Sequence, residues 1–172
     1  ERLRSVGLEL HPDKTKIVYC KDANRRGNYE HTSFDFLGYT FRARRALGRR
    51  GLFVNFSPAM SSKAKKAIGM KIRSWHLNRR SGTDLSGLAW EINAQVRGWI
   101  NYYGAFNRSE LSFLAKRIDE HIVRWSMQKF KRLRKRPQWA WAELAAARQH
   151  QPPLFAHWNL IATTNSRPVG AR

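Results

Sequence analysis

Two-metal chemistry on phosphates needs clustered carboxylates, and the spacing of acids in this chain does not supply them. Two-metal phosphoryl transfer holds its ions about 4 Å apart between neighbouring acids. Asp13, Asp22, Asp35 and Asp84 stand far apart in sequence. Asp119 and Glu120 are adjacent, but on a helix they diverge by about 100°, and they read as solvated charges beside basic neighbours. No two of His11, His31, His76, His121, His150 and His157 sit at helical ligand spacing, and Cys20 is the single cysteine. A zinc site is therefore not expected. Cys20 follows an apolar run with no histidine near it in sequence, and reads as a buried structural thiol. No serine or threonine stands in a nucleophile elbow or a triad pattern. What the residue types do supply is cations. Residues 57–136 hold 18 Lys and Arg against five Asp and Glu. Such side chains neutralise phosphates and release counterions, so the chemistry they favour is the binding of a polyanion.

The elements that position these cations are helical. Helix one is predicted from Ser61 or Ser62 to Leu77, with Ala64, Ile68, Ile72 and Trp75 along one side. Lys65, Lys66, Arg73 and His76 lie on the other, and Arg79 and Arg80 fall in the following turn. Helix two runs from a cap at Thr83 or Asp84 to about Tyr103, with Gly104 placed to end it. Leu85, Leu88, Ile92, Val96, Trp99 and Tyr103 share about 80° of its arc, while Trp90, Arg97 and Asn101 share a different face. Helix three is expected from a cap at Asn107 or Ser109 to Pro137, burying Leu111, Leu114, Ile118, Ile122 and Trp125. Lys116, Arg117, Arg124, Lys131, Arg134 and Lys135 spread over about 100° of its far side, interrupted by Glu120 alone. Six cations without matching acids repel one another until something anionic arrives. Trp75, Trp99 and Trp125 belong to the apolar stripes; Trp139, Trp141 and Trp158 are expected to pack the tail on the bundle. Trp90 either packs elsewhere or, with His76, stacks on unpaired bases.

Residues 1–56 read instead as strands and turns. Leu8 and Leu10 alternate before His11-Pro12-Asp13, and Ile17, Val18 and Tyr19 form a β-prone run. Phe34 and Phe36, then Tyr39 and Phe41, frame a strand broken at Gly38; a basic turn over Arg42–Gly51 leads to a third strand at Leu52, Val54 and Phe56. After Pro137 come an Ala-rich helical stretch from Trp139 to about Gln149, an irregular Pro152–Trp158 segment and a frayed final dozen residues. The fold class is α+β: a small antiparallel β region over 1–56, a three-helix bundle over 57–136, and a partly helical tail over 137–172.

With 172 residues and 42% apolar composition, a core can form despite a formal net charge of +21. Self-repulsion at that charge points to nucleic acid as partner. A membrane is disfavoured, because no stretch approaches about 18 uncharged apolar residues. The chain opens on Glu1 with no secretory signal pattern and reads as a fragment of something longer.

Four blocks in order carry a resemblance. Leu8-Glu9-Leu10-His11-Pro12-Asp13-Lys14-Thr15-Lys16 and Phe34-Asp35-Phe36-Leu37-Gly38-Tyr39 resemble the end of the palm in group II intron-encoded reverse transcriptases. Gly98-Trp99-Ile100-Asn101-Tyr102-Tyr103 resembles their maturase-specific, or X, domain, and Leu154-Phe155-Ala156-His157-Trp158 resembles the tail of bacterial members. The resemblance implies that Phe36, Leu37, Gly38 and Tyr39 form a primer grip, where a glycine lets a nucleic-acid backbone approach closely. It implies that Lys14 lies near the incoming nucleotide and helps neutralise the leaving pyrophosphate; the residue alone reads equally as a solvent-facing turn lysine. Helices one to three would be the thumb or maturase domain, binding intron RNA for splicing and gripping the template–primer duplex. The tail would be a reduced DNA-binding segment, with target DNA a further partner. The intact protein would be an RNA-directed DNA polymerase using Mg²⁺ in the bacterial cytoplasm. Its Asp-Asp motif is not in this sequence, so this portion binds no cofactor and carries no catalytic pair. A non-enzymatic, ribosome-associated RNA binder and an inactive remnant of the same family are the rival readings.

Overall fold

The computed structural model describes residues 2–12, 15–22, 24–25, 27, 29–48 and 51–160. The chain divides into two units, Glu1–Pro58 and Ala59–Arg172. Lys14 and the final residues 161–172 lie outside the described set.

The first unit is built on a three-stranded antiparallel sheet, β1 (Ser33–Phe36), β2 (Tyr39–Gly48) and β3 (Gly51–Met60), in that order. Phe36 pairs with Tyr39, so the first hairpin turns on two residues, Leu37 and Gly38. Both have positive φ, 47° and 79°, which matches the right-handed twist of the strands. Glycine takes that conformation freely; Leu37 takes it under strain. Phe34 stacks on Phe41 at 4.7 Å and faces Phe56 at 6.2 Å, so one aromatic row crosses all three strands. On β1 and β2 the neighbouring pair is polar, with the Thr40 hydroxyl donating to Asp35.

Three expectations for this unit are corrected. Leu8, Leu10 and Ile17–Tyr19 form no strand; they are exposed or half-buried, and Tyr19 N–H donates to the His31 carbonyl at 2.8 Å. The stretch Arg42–Gly51 is not one basic turn, because β2 carries Arg42, Arg44 and Arg45 on to Gly48. Arg44 is held there by donating to the Ser57 and Thr40 carbonyls. Cys20 is half-buried rather than enclosed.

The second unit contains α1 (Ser62–Ser74), α2 (Leu85–Tyr103), α3 (Ser112–Lys129) and α4 (Pro137–His150), with short 3₁₀ turns at Leu77–Arg79, Arg108–Leu111 and Lys131–Leu133. Ser61 caps α1 by accepting from Ala64 N–H, and Asp84 caps α2 by accepting from Gly87 N–H at 2.7 Å. At Gly104 an added Cβ would come 2.4 Å from the Ile100 carbonyl, so the end of α2 tolerates only glycine. The apolar stripes of α1, α2 and α3 meet in one core with Ile72, Leu88, Val96, Leu114 and Ile118 at its centre.

Three helix ends differ from the sequence reading. Helix α1 stops at Ser74 because His76 adopts a left-handed conformation, φ 48°. Helix α3 starts at Ser112, after the 3₁₀ turn, and stops at Lys129, where Phe130 turns extended. Pro137 then opens α4 instead of closing α3, the position where its missing N–H costs nothing. Lys131, Arg134 and Lys135 therefore stand on the α3–α4 connection, not on α3. Trp139 and Trp141 do not pack the tail down. Helix α4 buries Ala140 and Leu144, four apart, and a residue one step to either side of Ala140 turns away by about 100°. Trp75 and Trp99 pack against the core half-buried, their rings stacked at 5.7 Å.

The tail is anchored elsewhere. Phe155, His157 and Trp158 are all fully buried. Asn93 on α2 donates to the Leu154 carbonyl at 2.8 Å and accepts from Ala156 N–H at 2.9 Å. Asp119 on α3, 3% exposed, accepts from Arg148 at 2.6 Å, His157 Nε2 at 2.9 Å and Trp158 Nε1 at 3.1 Å. Asp119 is thus a buried tether for α4 and the tail, not a solvated surface charge.

Candidate nucleic-acid interface

Three settings in the helical unit present basic residues to solvent. The first joins α1 and α3. Glu120 is shared by Arg117 at 3.9 Å and Arg124 at 4.0 Å, one turn to either side of it. His121 lies between the same two arginines along α3, and its Nε2 is buried with no hydrogen-bond partner. Burial lowers the pKa of His121, and the charges of Arg124, Arg117 and Arg73 lower it further against the opposing pull of Glu120. Arg73 belongs to α1, so cations from two helices converge on one imidazole. Lys66 and Arg73 on α1 and Lys116 and Arg124 on α3 are exposed, and Arg117 is half-buried.

The second setting is the α3–α4 connection. Lys131, Arg134 and Lys135 are exposed, and Lys135 is left-handed at φ 59°. Between them, Arg132 makes a two-pronged ion pair with Glu143 at 2.7 and 3.0 Å, and the Arg136 guanidinium lies 5.2 Å over the Trp139 ring. The third is one face of α2, where Trp90, Arg97 and Asn101 are exposed; Trp90 shows 84% of its surface to solvent. An indole so bare is unusual and offers a stacking platform for a base.

Two predicted contacts have structural work instead. Arg80 is ion-paired with Glu91, donates to the Trp75 carbonyl at 3.1 Å, and its own carbonyl receives Trp125 Nε1–H at 2.9 Å. Lys65 is ion-paired with Glu110 and lies over the Phe113 ring. His76 and Arg79 are exposed at the turn after α1. In the other unit, Phe36 and Leu37 are exposed at the hairpin tip, Gly38 is half-buried and Tyr39 is buried. Sequence reasoning missed His121 as a member of the cationic group. Its signal was present: it stands four residues after Arg117 and three before Arg124, which puts all three on one helix face.

Among the described residues, no three of His, Cys, Asp and Glu come together as a metal site. No described helix is long and apolar enough to cross a membrane.

Residues 65–143 match the family model described as group II intron, maturase-specific domain. The match takes in most of α1, all of α2 and α3 and the first half of α4, including every cation of the α1/α3 setting. The match supports a group II intron maturase C-terminal region for the helical unit. Comparisons with curated proteins and with solved structures gave no significant match.

Proposed function

We propose that this chain binds group II intron RNA in support of splicing, and that the α1/α3 cationic face is its principal contact. The observation that carries this reading is that Arg117 and Arg124 share the one carboxylate of Glu120 on α3, with the charge of Arg73 from α1 also acting on His121 between them. Like charges gathered from two helices cost repulsion that a phosphate backbone relieves. The maturase-specific match over the same helices favours this reading over a ribosome-associated RNA binder. Lys66 and Lys116 extend the face, Lys131, Arg134 and Lys135 form a second strip, and Trp90, Arg97 and Asn101 offer stacking and polar contacts.

A second role belongs to the Phe36–Tyr39 hairpin. Its exposed tip and the glycine behind it suit the close approach of a primer strand in an intact RNA-directed DNA polymerase. Template–primer gripping by the helices, target DNA contact by the tail and a cytoplasmic setting belong to the same proposal. The Mg²⁺ of that reaction would belong to the intact polymerase. The test is binding of the chain to a group II intron RNA and to an unrelated structured RNA of equal length. The proposal expects tighter binding to the intron at one fixed salt concentration. Equal binding to both would return the chain to the class of general RNA binders.

A further inference from the structure

The helical unit holds a cavity of about 230 Å³ between α3, α4 and the start of α2. Its wall includes the Trp125 and Phe130 rings, set edge to face at 6.0 Å, and the aliphatic side chains of Leu85, Leu144 and Ala147. The volume falls below the range of about 300–1,000 Å³ usual for drug-sized ligands and suits a single planar ring system. Lys129 is fixed at the rim, donating to the Thr83 carbonyl at 2.6 Å and lying 5.3 Å over Trp125 and 5.8 Å over Phe130.

Charge identifies the occupant. The lining itself is balanced, with Lys129 and Arg132 against Asp84 and Glu143, and Arg132 and Glu143 satisfy each other. A phosphate gains nothing inside. The chain running along the edge does not share this balance: Lys131, Arg134, Lys135 and Arg136 are all exposed cations. An uncharged aromatic group inside a neutral apolar slot, attached to a backbone that is anionic on either side, is a nucleotide of a single strand. Proteins read unpaired bases by drawing them from the stack against aromatic side chains. We propose that this cavity takes one unstacked nucleobase of the bound RNA, with the flanking phosphates on the Lys131–Arg136 connection. The proposal rests on the RNA-binding reading above and assigns it a base-accepting site.

The test fills the slot without changing charge. In the full chain, Ala147→Phe places a ring where the base would lie, and Ala147→Leu is a smaller filling that serves if the larger one unfolds, as judged by circular dichroism. The probe is a short fluorescein-labelled single-stranded RNA, titrated at several salt concentrations. Filling is expected to weaken binding roughly tenfold, the scale of one missing base–aromatic stack, with the slope of log Kd against log salt unchanged. Arg134→Ala with Lys135→Ala should instead lower that slope. RNA affinity indifferent to filling by a folded variant overturns the base site and leaves the RNA-binding reading standing; it would hand the slot to an aromatic side chain of a protein partner. Failure of the wild-type chain to bind RNA at all overturns both.

Discussion

The Oδ1 of Asp119 lies 2.9 Å from Nε2 of His157, a residue 38 positions later in the chain, and both groups are buried. The carboxylate accepts, so Nε2 carries the ring proton. The same carboxylate receives Trp158 and Arg148. One acid on the central helix therefore fixes α4 and the tail against the maturase-specific core. The Arg148 guanidinium also lies 5.4 Å over the Trp158 ring, adding a cation–π contact to the ion pair.

Removing that acid leaves three donors without an acceptor, of which His157 and Trp158 are fully buried and Arg148 is partly exposed. Asp119→Ala is expected to cost about 3–5 kcal/mol of stability, the usual penalty for breaking a buried charge pair. Urea denaturation followed by tryptophan fluorescence measures it. A loss under about 1 kcal/mol, the scale of an exposed pair, would show that the tether contributes little.

The same node sets a pH dependence. Burial lowers the pKa of His157, opposed by the hydrogen bond and charge of Asp119 and assisted by Arg148. The folded value lies below the unfolded one, so the unfolded chain binds the proton first as pH falls. Stability from this group is full above the ordinary histidine value of about 6.5 and is lost as pH drops below it. Histidine proton chemical shifts should show His157 still neutral when an ordinary histidine is half-protonated. Titration at or above the ordinary value would contradict the arrangement.

His121 makes the opposite prediction for binding. Its pKa is lowered by burial and by Arg124, Arg117 and Arg73. A phosphate set among those arginines offsets their charge and raises the histidine, so RNA binding takes up a proton. Affinity should rise as pH falls through and below about 6.5, and His121→Gln should remove that rise while binding normally at pH well above it. A wild-type affinity flat in pH would place the RNA away from this cluster.

Trp90 separates surface function from packing. With so little of it covered, Trp90→Ala should change stability by no more than about 0.5 kcal/mol. Loss of a base stack should weaken single-stranded RNA binding by about 1–3 kcal/mol. A thermal melt and a binding isotherm on the same preparation decide it; a large drop in melting temperature with unchanged affinity would make the indole structural.

Much of this was legible in sequence where one signal acted alone. The apolar stripes of α1, α2 and α3 emerged from helical spacing, and Asp84 and Gly104 were readable as the ends of α2 because their chemistry is local. What failed depended on residues distant in sequence. Helix α3 is buried on a second side, through Ala115, Asp119, Val123 and Ser126, but that seam contains an acid, a serine and an alanine and carries little hydrophobic pattern. Only the arrival of Arg148, His157 and Trp158 makes Asp119 an interior residue. The end of α3 was misplaced for a related reason: Pro137 fits both the close of one helix and the first turn of the next. The tryptophans of α4 turned outward because Ala140 and Leu144, small and easily overlooked, set the buried face.

The central claim is that cations from α1 and α3 act together on one phosphate backbone, and the salt dependence of RNA binding tests it most directly. Replacing Arg73, Arg117 and Arg124 together with Ala should flatten the slope of log affinity against log salt by about 0.7–0.9 for each phosphate that is no longer neutralised. A flattening of roughly two or more is the predicted result. A triple variant that keeps the wild-type slope would contradict the account.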